Sequence, residues 1–103
     1  MYAVIFKATF KASFLENSAQ LKDEYSTTAT RMRELATTQY GCLELSACTE
    51  GDQEIAISYW PSQDHIKRWK QDKEHLAAQA LGQSKWYESY QVQVVEVMRE
   101  YNS

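Results

Sequence analysis

The chain has little of what most chemistries require. Its 103 residues include three glycines, one proline and two cysteines. No glycine-rich phosphate loop, no G-x-S-x-G turn and no His/Cys cluster at metal-ligand spacing can be read from it, and no flavin or nicotinamide motif is present. Cys42 and Cys48 lie six positions apart in what reads as one strand. At ~3.3 Å per residue they would stand about 20 Å apart, so they are expected to be free thiols. The net charge is −3, with Lys and Arg scattered among Asp and Glu. Without a basic stripe, nucleic acid is not the expected partner. No apolar run approaches the ~20 residues that cross a bilayer, which argues against a membrane partner. The first residues alternate apolar and polar without a charged leader, so no secretion signal is expected and the protein is read as cytoplasmic.

What is present reads as one domain over residues 1–103, α+β in class. Residues 2–10 alternate as a strand with apolar residues on both parities. Asn17 or Ser18 offers an N-cap for a helix to about Thr38, with Leu21, Tyr25, Thr28, Met32 and Leu35 as its buried stripe and Gly41 as its stop. Residues 42–49 and 54–60 form a hairpin around Glu50-Gly51-Asp52-Gln53, and Pro61 ends it. Ser62 caps a second helix whose buried side is Ile66, Trp69, Leu76, Ala77 and Ala80, closed by Gly82. A strand from about Glu88 to Tyr101 follows, with a parity switch at Val94/Val95 that implies a bulge or burial on both faces. The order is β-α-β-β-α-β, a ferredoxin-like unit with an antiparallel sheet and both helices on one face. The other face is too apolar to stay wet, so a homodimer with sheets packed face to face is expected.

Residues 59–90 concentrate the unusual side chains: all three tryptophans, both histidines, the proline and three of the seven tyrosines. Within them Tyr59-Trp60, Trp69, Glu74-His75, Gln79, Gly82, Trp86-Tyr87 and Tyr90 resemble the antibiotic biosynthesis monooxygenase family of the dimeric α/β-barrel superfamily. The resemblance implies a homodimer with one pocket per subunit between the sheet and its own helices. It also implies oxidation of small aromatic or polycyclic phenols to quinones by dioxygen, with no cofactor. An alternative within the superfamily is haem binding and cleavage, which uses an Asn on the first strand, a helix Trp and a haem-ligating His. Here the first strand carries Lys7 and Thr9, and Trp69 and His75 are closer together. A further alternative is a non-catalytic dimer that binds a small hydrophobic ligand.

Under the leading reading His75 is the catalytic base, because an imidazole of pKa ~6.5 accepts a phenol proton at cellular pH. A straight helix, however, turns His75 about 120° from Trp69, onto the polar side with Arg68, Asp72 and Gln79. The role therefore requires a kink near Lys70–Asp72 or a side chain at the pocket rim; otherwise His75 is a solvated histidine. Trp69 serves as core or as pocket wall, and Arg68 as stabiliser of an anion or as a solvated helix arginine. Tyr59, Trp60, Trp86, Tyr87 and Tyr90 are candidate substrate contacts or parts of a dimer seam. His65, beside the cap, is read as a surface residue.

Overall fold

The computed structural model describes residues 1–16 and 19–103; the N-cap expected at Asn17 or Ser18 lies outside them. The elements run β1 (Tyr2–Phe10), α1 (Ala12–Glu16), α2 (Ala19–Gln39), β2 (Glu44–Glu50), β3 (Gln53–Trp60), α3 (Gln63–Gln71), α4 (Lys73–Leu81), a π-helical turn (Gly82–Trp86) and β4 (Tyr87–Glu96). This is the β-α-β-β-α-β order, with a short extra helix after β1 and the second helix broken in two. The sheet runs β2-β3-β1-β4 with every neighbouring pair antiparallel. Gly51 takes φ 60°, as the first residue of a two-residue II′-type hairpin loop must. Gly41, at φ 77°, ends α2 as expected. Cys42 and Cys48 are free thiols.

Register decides which residues share a face, because cross-strand partners point the same way. Tyr2, Val4, Phe6 and Ala8 of β1 stand opposite Trp60, Ser58, Ala56 and Glu54 of β3 and opposite Glu96, Val94, Val92 and Tyr90 of β4. This is the helix side. The bare side carries Ala3 and Ile5 with Tyr59, Ile57 and Val95, and continues through Ile55. Ile55 and Val95 remain exposed there, so apolar residues do face both ways. The bulge lies elsewhere than expected: the β1–β4 register shifts between Thr9 and Phe10, while Val92 to Glu96 pair without interruption. Val94 and Val95 simply face opposite sides. The final strand stops at Glu96, well short of Tyr101.

Two clusters fill the helix–sheet layer. Leu35, Ala36, Cys42, Trp60, Ile66 and Trp69 form one, and Phe10, Phe14 and Trp86 anchor the other. The expected buried stripe of the second helix holds only for Ile66 and Trp69; Leu76, Ala77 and Ala80 are exposed. The reason is the break at Asp72, whose extended ψ of 133° ends α3 and begins α4 as its N-cap. The helical phase restarts there, turning His75, Ala78 and Leu81 inward instead.

Candidate functional site

The break at Asp72 builds the most chemically suggestive feature of the molecule. The Asp72 carboxylate accepts the His75 backbone N–H at 3.0 Å, and its other oxygen accepts the Tyr40 hydroxyl at 2.5 Å. These bonds, the tyrosine's first, hold the Asp72 carboxyl below its ordinary value. Arg31 clamps the same turn from α2, reaching both oxygens of Glu74 at 2.9 and 3.0 Å. So fixed, the His75 ring stacks on Trp69 with centroids 4.1 Å apart and planes 11° from parallel. Its Nδ1 lies 3.0 Å from the Trp69 carbonyl oxygen. A carbonyl can only accept, so Nδ1 carries the proton in the neutral ring and Nε2 keeps its lone pair. Burial lowers the His75 pKa, against the opposite pulls of the Trp69 carbonyl and Asp72. The result is a neutral imidazole of fixed tautomer, which is the form a general base needs.

The other sequence-derived candidates are distributed over three places. Trp69 and Trp60 accompany His75: their rings are 6.3 Å apart, Trp60 is fully buried, and its Nε1 donates to Ser58 Oγ at 2.9 Å. Trp86 and Tyr87 lie in the second cluster, where both rings meet Tyr25 edge-on. Trp86 Nε1 is buried with no hydrogen-bond partner. Tyr90 stands on the same side of β4, stacked against Phe6 at 5.9 Å and accepting from Gln83 Nε2 at 2.7 Å. With Val92 and Val94 it forms an apolar strip that the helices leave 40–45 % exposed. Tyr59 faces the bare side, so the sheet separates it from His75. Arg68 lies on an exposed face of α3, beside His65 at a cavity of about 380 Å³.

One group went unnoticed in the sequence. Glu54, 5 % exposed, is the one buried charged residue among those described. It points into the helix side, bonded to the Thr49 hydroxyl. Tyr25 faces it from α2, and the Tyr87 hydroxyl stands 3.4 Å from that of Tyr25. Burial foremost pushes the Tyr25 phenol far above its ordinary value and that of Tyr87 up to about 12, so both remain hydrogen-bond donors at neutral pH. Strand parity could have revealed Glu54, because it alternates in step with Trp60, a core residue. His65, read from the sequence as a surface residue, instead packs its ring against Gly41 and is half-buried.

No group of three or more His, Cys, Asp or Glu among the described residues could hold a metal ion, and no described helix is long and apolar enough to cross a membrane. Haem fits this packing poorly. Trp60, Trp69 and Trp86, all buried, take up the layer a macrocycle would enter.

Comparison with known proteins agrees with this architecture. Residues 1–81 match the family model described as antibiotic biosynthesis monooxygenase. YqjZ of Bacillus subtilis is 40% identical over 100 residues, covering 96% of this chain and 81% of that protein. SnoaB of Streptomyces nogalater, a cofactor-independent oxygenase, superposes with a TM-score of 0.76 at 11% identity, covering 99% of this chain and 97% of that one. Rv0793 of Mycobacterium tuberculosis gives 0.75 at 14% identity, covering 98% of each chain. At such identities the two structures speak for the fold alone, whereas the family match spans most of the sequence. The chain belongs to the antibiotic biosynthesis monooxygenase family.

Proposed function

We propose that the protein is a cofactor-independent monooxygenase that oxidises small aromatic or polycyclic phenols to quinones with dioxygen. The observation that carries this reading is the stacked, neutral His75 with Nδ1–H held by the Trp69 carbonyl. His75 Nε2 takes the proton of a substrate hydroxyl. The electron-rich anion passes one electron to dioxygen, and the resulting radical and superoxide combine into a C–O bond at the ring carbon para to the oxygen. The peroxide takes up a proton, the ring carbon loses its hydrogen as a proton, and the O–O bond breaks to leave a quinone and one water. Dioxygen accepts four electrons and the substrate supplies all four, so no external reductant is needed.

The protein's share is desolvation and placement. The uncovered strip of Tyr90, Val92 and Val94 beside Phe6 offers a flat ring an apolar bed on the helix side of the sheet. Trp69 fixes the base, and Trp60, Trp86 and Tyr87 hold the surrounding layer rigid. The bare face, with Ile5, Ile57 and Val95, is covered by a second copy in a homodimer. Oxygen consumption over a panel of dihydroxynaphthalenes and anthrones tests the reading. Turnover abolished in His75→Gln supports it; no oxygen uptake with any of these compounds overturns it.

A second reading rests on the same indoles. Trp60 and Trp86 are buried almost completely, as befits a non-catalytic dimer that binds a small hydrophobic ligand at its rim. It predicts ligand-induced tryptophan quenching without oxygen uptake.

A further inference from the structure

Thr38, Gln39 and Tyr40 at the end of α2, Gly41 after it, and His65 and Arg68 on α3 surround a half-open cavity of about 380 Å³. That volume is within the range of small-molecule sites. Its polar groups are not equally available. The Thr38 hydroxyl donates to the Glu34 carbonyl at 2.7 Å, and the Tyr40 hydroxyl is committed to Asp72. His65 and Arg68, three residues apart on one helix face, are left over with the Gln39 amide. Arg68 has no ion-pair partner among the described residues.

The hydrogen bonds around Ser62 hold the His65 ring by its Nδ1 edge. The Ser62 oxygen accepts the His65 backbone N–H at 3.4 Å, and the same oxygen lies 2.7 Å from His65 Nδ1. A hydroxyl has one hydrogen and two lone pairs, so Ser62 serves Nδ1 in either tautomer of the ring, and an anion in the cavity selects the one whose proton sits on Nε2. That edge of the ring lies over Gly41, where a Cβ would stand 2.8 Å from Cδ2 and 3.3 Å from Nε2. A residue with any side chain at position 41 would press on the imidazole and take space from the cavity. The site thus presents an N–H donor and a guanidinium fork beside the ring of Tyr40.

We propose that this cavity binds a small organic carboxylate, its two oxygens shared between Arg68 and His65 Nε2–H and its apolar body against Tyr40. The pairing suits a planar carboxylate, which Arg grips with two parallel bonds. Since Tyr40 also holds Asp72, the occupied cavity adjoins the turn that carries His75, yet binding here does not depend on the oxygenase reading.

The test is titration of the full chain with 1-naphthoate, 1-naphthol and inorganic phosphate, followed by calorimetry and by the His65 ring resonances. Naphthoate should bind and shift those resonances, and naphthol should not. Arg68→Gln, an exposed substitution that leaves the core intact, should weaken naphthoate by ~10-fold or more through loss of the charge-assisted pair. Unaltered affinity in that variant, naphthol binding as well as naphthoate, or phosphate displacing naphthoate at equal concentration would each overturn the assignment.

Discussion

Replacing His75 separates its structural role from its chemical one. In His75→Ala the ring loses its bond to the Trp69 carbonyl, worth about 1 kcal/mol net. It also loses the stack on Trp69, worth ~0.5–1.5 kcal/mol. Together these amount to about 2 kcal/mol, and at ~4–8 °C per kcal/mol for a domain of this size the melting temperature should fall by roughly 8–16 °C. His75→Gln keeps an amide donor that can bond to the same carbonyl, so it should recover part of that loss. Neither variant has a base. Both should therefore lose ~10²-fold or more in turnover, whatever their difference in stability. Thermal unfolding followed by tryptophan fluorescence supplies the first quantity, and an oxygen electrode with dihydroxynaphthalene substrates supplies the second. Wild-type turnover in folded His75→Gln would remove the imidazole from the mechanism. Equal melting temperatures for wild type and His75→Ala would show that the stack does not anchor the ring.

The same imidazole predicts a pH effect on stability. Its pKa is lowered in the fold, so the unfolded chain binds the proton more readily. The stability tied to neutral His75 is complete above ~6.5, the ordinary value of an exposed imidazole, and is lost as pH falls from there through the lowered folded value. Denaturant midpoints should drop over that window in wild type and less in His75→Gln; parallel curves would contradict the assignment. At Gly82, alanine gains ~1 kcal/mol in helix propensity but puts its Cβ 2.8 Å from Tyr87 Cε2, in a ring packed between Phe6, Phe10 and Tyr25. Overpacking costs ~1–3 kcal/mol, so Gly82→Ala should melt several degrees lower, and a higher melting temperature would show that Tyr87 yields. If the proposed homodimer forms through the bare face, Ile57→Lys there, between Ile5 and Ser46, should sediment as a monomer where wild type sediments as a dimer. A dimer that persists would place the interface elsewhere.

The fold was legible because its signals are short-range and redundant. Alternation in residues 2–10 and 54–60, the Gly51 hairpin and the Gly41 stop each depend on a few neighbours, and each appears within a residue of where it is expected. The α2 stripe was legible for the same reason: Leu21, Tyr25, Thr28, Met32 and Leu35 all turn inward to some degree. The last strand was read too long because Val97 to Tyr101 continue its composition while the pairing partner ends: β1 begins at Tyr2, opposite Glu96. Strand length is set by the neighbour, which no local pattern contains.

The site was harder to read because it depends on where a helix restarts. A single helix from 63 to 81 would place Leu76 in the core and His75 in water; the structure does the reverse. Yet the signal was there. Asp72 is a strong N-cap residue, Glu74 follows in the first turn, and the Asp72 side chain accepts the backbone N–H of the third residue on, as an N-cap does. What the sequence could not supply is Tyr40, which comes from α2's far end, 32 positions away, and holds the other Asp72 oxygen. One carboxylate thus serves as helix cap and as tertiary anchor at once. The cap alone turns His75 toward Trp69; the anchor fixes that turn against the end of α2.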